Sequence, residues 1–330
     1  MKQKNFIPIP PPADLPQAED IDIRSIAGMY LDGDIDLLCI LGPTASGKTR
    51  YAVGAAREIN AMLSEMPGRE TLAGAEIISA DSRQVYRGMD IGTGKDLGEY
   101  GEIPVHLTDI VPAGSKYNIY EFQRDFERAY TDIRSRGGIP ILCGGSGLYI
   151  EAATCGYSLP DVPANPSLRE ELEKKSDGEL IAMLASLKTL HNSTDYDTRK
   201  RLIRALEIAI YEAEHPVHRS AFLPKNTFYI GTLVSREERI AKIDARLDAR
   251  LEEGMIDEVR GLLDGGIPAE DLIYYGLEYK FVTLHLTGRL SFGQMRTQLA
   301  TAIHQFAKRQ MTWFRGMERK GIRIHWVLPG

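Results

Sequence analysis

The stretch Gly42-Pro43-Thr44-Ala45-Ser46-Gly47-Lys48-Thr49 satisfies the pattern G-x-x-x-x-G-K-[ST] at every fixed position. At average residue usage such a match recurs by chance in roughly one chain in a hundred of this length, and less often once its flanks are constrained. The flanks comply. Asp36-Leu37-Leu38-Cys39-Ile40-Leu41 reads as a short buried strand, and Arg50 to Leu63 carries Ala52, Val53, Ala56, Ile59 and Leu63 at helical spacing. Strand, glycine loop and helix is the order in which backbone can wrap a phosphate, because glycines permit the turn while amide N–H groups and the helix's positive end face the anion. Gly42 through Thr49 are therefore candidate phosphate-binding residues, with Lys48 offsetting phosphate charge and the Thr49 hydroxyl offered to Mg²⁺. A plain strand-to-helix turn would not call for Lys48 followed by Thr49. The pattern does not say whose phosphates are held, since any diphosphate satisfies the same geometry.

With 330 residues, 43% of them hydrophobic and 26% charged, the chain can bury one core of ordinary size and a smaller one. No apolar run approaches the ~20 residues that span a bilayer, and the N-terminus lacks a basic-then-apolar leader, so a cytoplasmic protein without a membrane partner is expected, as a monomer. Cys39, Cys143 and Cys155 have no metal-ligand spacing, which argues against disulfides and zinc. A net charge of −6 argues against indiscriminate coating of nucleic acid. Two local basic stretches remain: Arg199-Lys200-Arg201 with Arg204, and Lys308-Arg309 with Arg315, Arg319, Lys320 and Arg323.

Along the chain, residues 1–34 read as an extended or partly disordered extension, proline-rich from Pro8 to Pro16, with one short helix over Ile21 to Leu31. Further strands are expected at Ala75–Ala80, Ile103–Ile110 and Ile139–Cys143, and a helix at Ile119–Arg136. The polar run Asp81-Ser82-Arg83-Gln84-Val85-Tyr86 follows the second strand at its carboxyl end, where ligands bind in open α/β sheets. Gly144-Gly145-Ser146-Gly147-Leu148-Tyr149 is a second glycine turn, fit either for a ligand's close approach or for a tight corner. Between 157 and 222 the βα alternation gives way to helical patterns at Ser167–Lys175, Gly178–Leu187 and Tyr196–Glu214, which reads as an insertion. The sheet resumes at Thr227–Val234, followed by Ser235-Arg236-Glu237-Glu238, a capping-box pattern that sets Arg236 in a helix's first turn within reach of an anion on the phosphate loop. That helix runs to Leu263 with a break at Gly254, a last long helix spans Phe292 to Trp313, and Ile322–Val327 reads as a final strand. The predicted fold is α/β: a P-loop NTPase-like parallel sheet flanked by helices, formed by 35–156 and 223–330, with a helical insertion domain at 157–222.

The order of these motifs resembles the tRNA dimethylallyltransferases, also called tRNA isopentenyltransferases. The matching pieces are the phosphate loop, Ile77-Ile78-Ser79-Ala80-Asp81-Ser82-Arg83-Gln84-Val85-Tyr86, Gly88-Met89-Asp90-Ile91-Gly92-Thr93-Gly94-Lys95 and Pro140-Ile141-Leu142-Cys143-Gly144-Gly145-Ser146-Gly147-Leu148-Tyr149. Arg204-Ala205-Leu206-Glu207 and Ala307-Lys308-Arg309-Gln310-Met311-Thr312-Trp313-Phe314-Arg315 complete the set. The resemblance implies transfer of a dimethylallyl group from dimethylallyl diphosphate to N6 of an adenine beside the tRNA anticodon, with pyrophosphate released. It implies Asp81 as acceptor of the N6 proton, Thr44 near the leaving group, and Lys48 and Arg236 against the departing diphosphate, with Mg²⁺ at Thr49. By the same resemblance Asp81, Ser82, Gln84, Val85, Lys308, Arg309 and Gln310 would contact the tRNA, and the insertion would hold the anticodon stem-loop. Tyr275-Gly276-Leu277-Glu278-Tyr279 departs from the family's Ile-Gly-Tyr followed by a basic residue.

Other readings of the same residues are an adenylate isopentenyltransferase acting on free nucleotide, a small-molecule kinase in which Asp81 takes a hydroxyl proton, and an RNA-binding protein without catalysis. Asp81 could also serve as a metal-shell carboxylate or helix cap, and Arg236 and the Lys308–Arg309 pair as solvated helix faces.

Overall fold

A computed structural model describes residues 16–68, 73–157, 162–187, 198–215 and 222–329. The chain divides into two compact units, residues 1–155 with 223–330, and residues 156–222.

The larger unit is built on a six-stranded parallel sheet in the order β4-β2-β6-β1-β7-β8. β1 (Leu37–Leu41) is central, and its five side chains are almost wholly buried because helices cover both faces of a parallel sheet. It pairs with β6 (Ile139–Gly144) on one side and β7 (Thr227–Thr232) on the other, Leu41 lying opposite Gly144 and Gly231. β2 (Ala75–Ser79) lies beyond β6, and β8 (Ile324–Val327) beyond β7. The strands share one direction, so the loops after β1, β2, β6 and β7 emerge at one edge of the sheet. α2 (Lys48–Glu65) packs Ala52, Val53, Ala56, Ile59 and Leu63 against it.

The strand expected over 103–110 shrinks to β4 (Val105–His106), because Leu107 and Asp109 adopt left-handed φ of 62° and 57° and end the extended run. A small parallel pair that the pattern did not suggest, β3 (Tyr86–Arg87) with β5 (Val111–Pro112), lies beside it. α1 (Ile23–Asp32) is capped by Asp22 and buries Ile23, Ile26 and Ala27 in the same cluster as Val53 and Ile59. The short helix expected over Ile21–Leu31 is thus present and anchors this segment on the core through three buried residues, while 17–20 and 32–34 stay exposed; Pro8 to Pro12 lie outside the described residues. α3 (Ile119–Ser135) opens with the Asn118–Glu121 capping box, and α4 (Gly147–Thr154) follows β6.

After β7 come α8 (Arg236–Glu253), α9 (Met255–Asp264), α10 (Ala269–Tyr274), α11 (Leu277–Leu286) and α12 (Phe292–Arg319). Gly254, at φ 112°, makes the expected break between α8 and α9. α12 outruns its expected end at Trp313 because Phe314 and Met317 continue the buried stripe of Met295, Leu299, Ile303, Ala307 and Gln310.

The smaller unit holds α5 (Pro166–Glu173), α6 (Asp177–Leu187) and α7 (Arg199–Glu214) around Leu172, Leu180, Leu184, Leu202, Ile203 and Leu206. Tyr196, the expected start of the last of these, lies outside the described residues. Among the described residues no helix is long and apolar enough to cross a membrane.

Candidate active site

The phosphate loop leaves β1 and enters α2 through two left-handed residues, Ala45 at φ 61° and Gly47 at φ 77°. Gly47 opens the helix without any side-chain cap, so the first amides of α2, including those of Lys48 and Thr49, point out of the helix end without an intrahelical acceptor. The rest of the loop is pinned. The buried Ser46 hydroxyl shares a 2.6 Å hydrogen bond with the Thr232 hydroxyl at the end of β7. Thr232 also crowds Gly42, where a Cβ would collide with its hydroxyl oxygen. The Thr44 N–H donates to Gln310 Oε1 at 2.8 Å. The expected phosphate-binding residues therefore divide: Gly42, Pro43 and the Thr44 and Ser46 anchors hold the loop's shape, while Ala45, Gly47, Lys48 and Thr49 form its open rim.

Lys48 makes no ion pair with any described residue. Burial pushes its ammonium below the ordinary lysine range, and the nearby Cys143 and Asp81 oppose the shift only in part. An arriving phosphate would reverse that penalty. The Thr49 hydroxyl has no hydrogen-bond partner among the described residues, and no cluster of three or more acidic, histidine or cysteine side chains is present there to hold a metal by protein groups alone. A lone hydroxyl suits Mg²⁺, which takes its remaining ligands from phosphate oxygens and water.

Asp81 follows β2 at the same edge and caps no helix. Its Oδ1 accepts from the Arg83 N–H at 2.9 Å, and Oδ2 has no hydrogen-bond partner among the described residues. The Ser82 N–H donates to Ser146 Oγ at 3.2 Å, which fastens the Asp81 turn to the second glycine turn. Packing closes the second glycine turn around its own neighbours. A Cβ on Gly144 would strike the Ala80 carbonyl, one on Gly145 the Gln310 amide, and one on Gly147 the Trp313 ring. It is a tight corner crowded by protein.

Three expected RNA contacts are revised by burial and bonding. Gln310 lies under the surface, with Oε1 taken by Thr44 and Nε2 donating to the Gly145 carbonyl at 2.8 Å. The Val85 side chain is fully buried in the core. The Gln84 amide is engaged at both ends, accepting from Ser79 Oγ at 3.3 Å and donating to the Gly94 carbonyl at 3.2 Å. Lys308 and Arg309 do lie exposed on α12; neither pairs with a carboxylate among the described residues, and Arg309 lies 5.8 Å from the Phe306 ring centroid. Of the other basic stretch, Arg199 is spent on Glu173, Asp177 and nearby carbonyls.

Arg236 is exposed at the first position of α8, four residues beyond Thr232. Ser235 caps the helix by accepting from the Glu238 N–H, while the Glu238 carboxylate pairs with Lys242 rather than closing the expected box. Arg239, one turn on, was missed in the sequence. It has no acidic partner among the described residues, and burial with the neighbouring Arg236 pushes its guanidinium down. Its spacing of three from Arg236 on a helix starting at the sheet edge was the available signal.

The profile of the IPP transferase family matches residues 84–317. The chain belongs to the IPP transferase family. It is 57% identical over 295 residues to tRNA dimethylallyltransferase 2 of Porphyromonas gingivalis W83, covering 88% of this chain and 93% of that protein. It is 55% identical over 298 residues to tRNA dimethylallyltransferase 2 of Bacteroides fragilis, covering 89% and 93%. A solved tRNA isopentenylpyrophosphate transferase from Bacillus halodurans superposes with a TM-score of 0.62 at 32% identity, covering 88% of this chain and 89% of that one. In this IPP transferase the Arg204–Glu207 motif is internal to the smaller unit. Glu207 accepts from Arg169, from Arg204 and from the Asn165 N–H at 2.6 Å, and Arg204 also donates to the Val162 carbonyl at 2.8 Å.

Proposed function

We propose that this chain transfers the dimethylallyl group of dimethylallyl diphosphate to N6 of the adenine at position 37, beside the tRNA anticodon. The observation that carries the reading is one sheet edge that presents two complementary features. One is an uncapped helix start with a desolvated Lys48 that has no ion-pair partner among the described residues; the other is a carboxylate, Asp81, with one oxygen unengaged among them. The first fits a diphosphate, the second the proton of an attacking amine.

The amides of the loop rim and the Lys48 ammonium would bind the donor's diphosphate, with Arg236 and Arg239 adding charge from the neighbouring strand end. A Mg²⁺ ion, when bound, supplies further neutralisation of the leaving diphosphate, and Thr49 is the residue that would ligate it. The N6 lone pair attacks the donor's C1, a C–N bond forms as the C1–O bond breaks, and the electron pair leaves on pyrophosphate. The N6 proton passes to Asp81 Oδ2. The target base must leave its stack to reach this edge, and Lys308 and Arg309 would grip the RNA backbone while it does.

The test is incorporation of labelled dimethylallyl from its diphosphate, with Mg²⁺, into a tRNA whose anticodon loop carries adenines and, in parallel, into free AMP. Label in the tRNA alone is expected, and Asp81→Ala should bind donor normally while slowing incorporation by roughly 10²-fold or more. Label in AMP alone, or in neither, overturns the reading.

A further inference from the structure

Tyr274 ends α10 with half of its surface exposed, and it stands beside the Asp81 turn. Arg83 makes the link. Its N–H bonds Asp81 Oδ1 at 2.9 Å, its Nη1 donates to the Tyr274 carbonyl at 3.2 Å, and its guanidinium carbon lies 6.0 Å from the Tyr274 ring centroid. The frame under the ring is rigid. The next residue, Tyr275, is buried, packs edge-on against Tyr86 at 4.6 Å and donates its hydroxyl to the Ser115 carbonyl at 2.6 Å. Gly276 follows at φ 152°, and a Cβ there would lie 3.6 Å from Arg83 Nε. Glu278, where the family tends to carry a base, turns to Arg250 at 3.8 Å. This turn therefore offers a flat ring with a guanidinium beside it.

The geometry points to Tyr274, flanked by Arg83, as a stacking platform for one nucleobase adjoining the adenine that Asp81 serves. Exposed aromatic rings and arginine planes are the groups on which unstacked RNA bases settle, and the positive neighbour suits the adjoining phosphate. Extracting an adenine from a stacked loop leaves its neighbour with one bare face. Tyr274 covers that face and so holds the loop open. The inference rests on the prenyl-transfer reading above.

The test is a binding cycle with the full chain and an anticodon stem-loop RNA, followed by fluorescence anisotropy. The RNA is used intact and with an abasic site at either nucleotide flanking the target adenine. Tyr274→Ala should weaken binding of the intact RNA by roughly 5- to 150-fold, the range for one base–aromatic stack. Tyr274→Trp should bind like the parent. On one of the two abasic RNAs the parent and Tyr274→Ala should bind equally. An unchanged affinity for Tyr274→Ala on intact RNA, or an undiminished penalty on both abasic RNAs, overturns the platform. Failure of the parent to label this stem-loop would instead sink the reaction, whereas labelling with Tyr274→Ala binding unaffected sinks the platform alone.

Discussion

Two loops of this protein present runs of backbone amides, and they are finished in opposite ways. In the glycine-rich loop after β3, the N–H groups of Asp90 and Ile91 both donate to Glu258 Oε2 at 2.7 Å, and that of Gly92 to Oε1 at 3.0 Å. The Tyr279 hydroxyl adds a fourth bond to the same carboxylate at 2.6 Å. Next to it, Lys95 is buried against Asp90, Asp109 and the Tyr86 carbonyl. The amides of Asp90, Ile91 and Gly92 and the Lys95 ammonium all have protein acceptors. In the phosphate loop the helix start has no side-chain cap and Lys48 has no ion-pair partner among the described residues, although the surrounding anchors at Thr44 and Ser46 are complete. A fold that satisfies one amide nest with its own carboxylate and leaves the other open distinguishes a clamp from a site.

Removing the open cation should have the largest effect. Lys48→Met is expected to weaken donor-diphosphate binding and cut incorporation together, by roughly 10²- to 10³-fold, since on the proposed reading it deletes a desolvated charge from beside the leaving group. Burial lowers the Lys48 ammonium in the free protein, so donor affinity of the parent should fall with rising pH before an ordinary lysine would titrate. Titration calorimetry with dimethylallyl diphosphate across alkaline pH reads both. Donor affinity that is flat in pH and indifferent to the substitution would mean that the loop is not the diphosphate site.

Emptying the filled nest should act on the fold. Glu258→Ala strands three amides and a tyrosine hydroxyl, a loss of about 1–3 kcal/mol of stability in urea unfolding, while donor affinity stays within about threefold of the parent. If Glu258→Ala weakened donor binding as strongly as Lys48→Met, the loop at 90–92 would belong to the donor site and the contrast would collapse.

The two loops also differ in how plainly the sequence announced them. The phosphate loop could be read because its shape depends on local residues: glycines for the turn, an apolar strand before, a helical stripe after. What fills or empties a nest is set by residues distant in the chain. Glu258 lies some way from Asp90, and Gln310 far from Thr44, so no local pattern could show that one is a plug and the other a brace. The family resemblance places Gln310 at the RNA, yet its basic neighbours Lys308 and Arg309 are exposed while it is buried. Strand lengths failed likewise where tertiary contacts override propensity: Asp109 gives up an extended conformation and its side chain meets the buried Lys95. The integration of α1 and the exposure of Tyr274 are similarly properties of packing, to which helical periodicity over a short stretch is blind.

The smaller unit carries a third version of the same device. Here the plug is Glu207, and arginines replace most of the amides. Burial raises its carboxyl, but hydrogen bonds from Arg169, the Asn165 N–H and Arg204 outweigh that and hold it at about 2. An unfolded glutamate titrates near ~4.3, so the folded value is depressed: the stabilisation is fully present above that unfolded value and is lost as pH falls toward the folded one. The shift corresponds to about 3 kcal/mol, reduced to about 2 kcal/mol because Arg169 and Arg204 remain partly open to solvent. Glu207→Gln should therefore lower the protection of α7 amides from hydrogen exchange by that amount near neutral pH. The gap should close between about pH 4.5 and 2, where the parent's own carboxylate is protonated. A gap that persists unchanged to pH 2 would assign the role of Glu207 to shape rather than charge, and the likeness to the Glu258 plug would then be one of geometry alone.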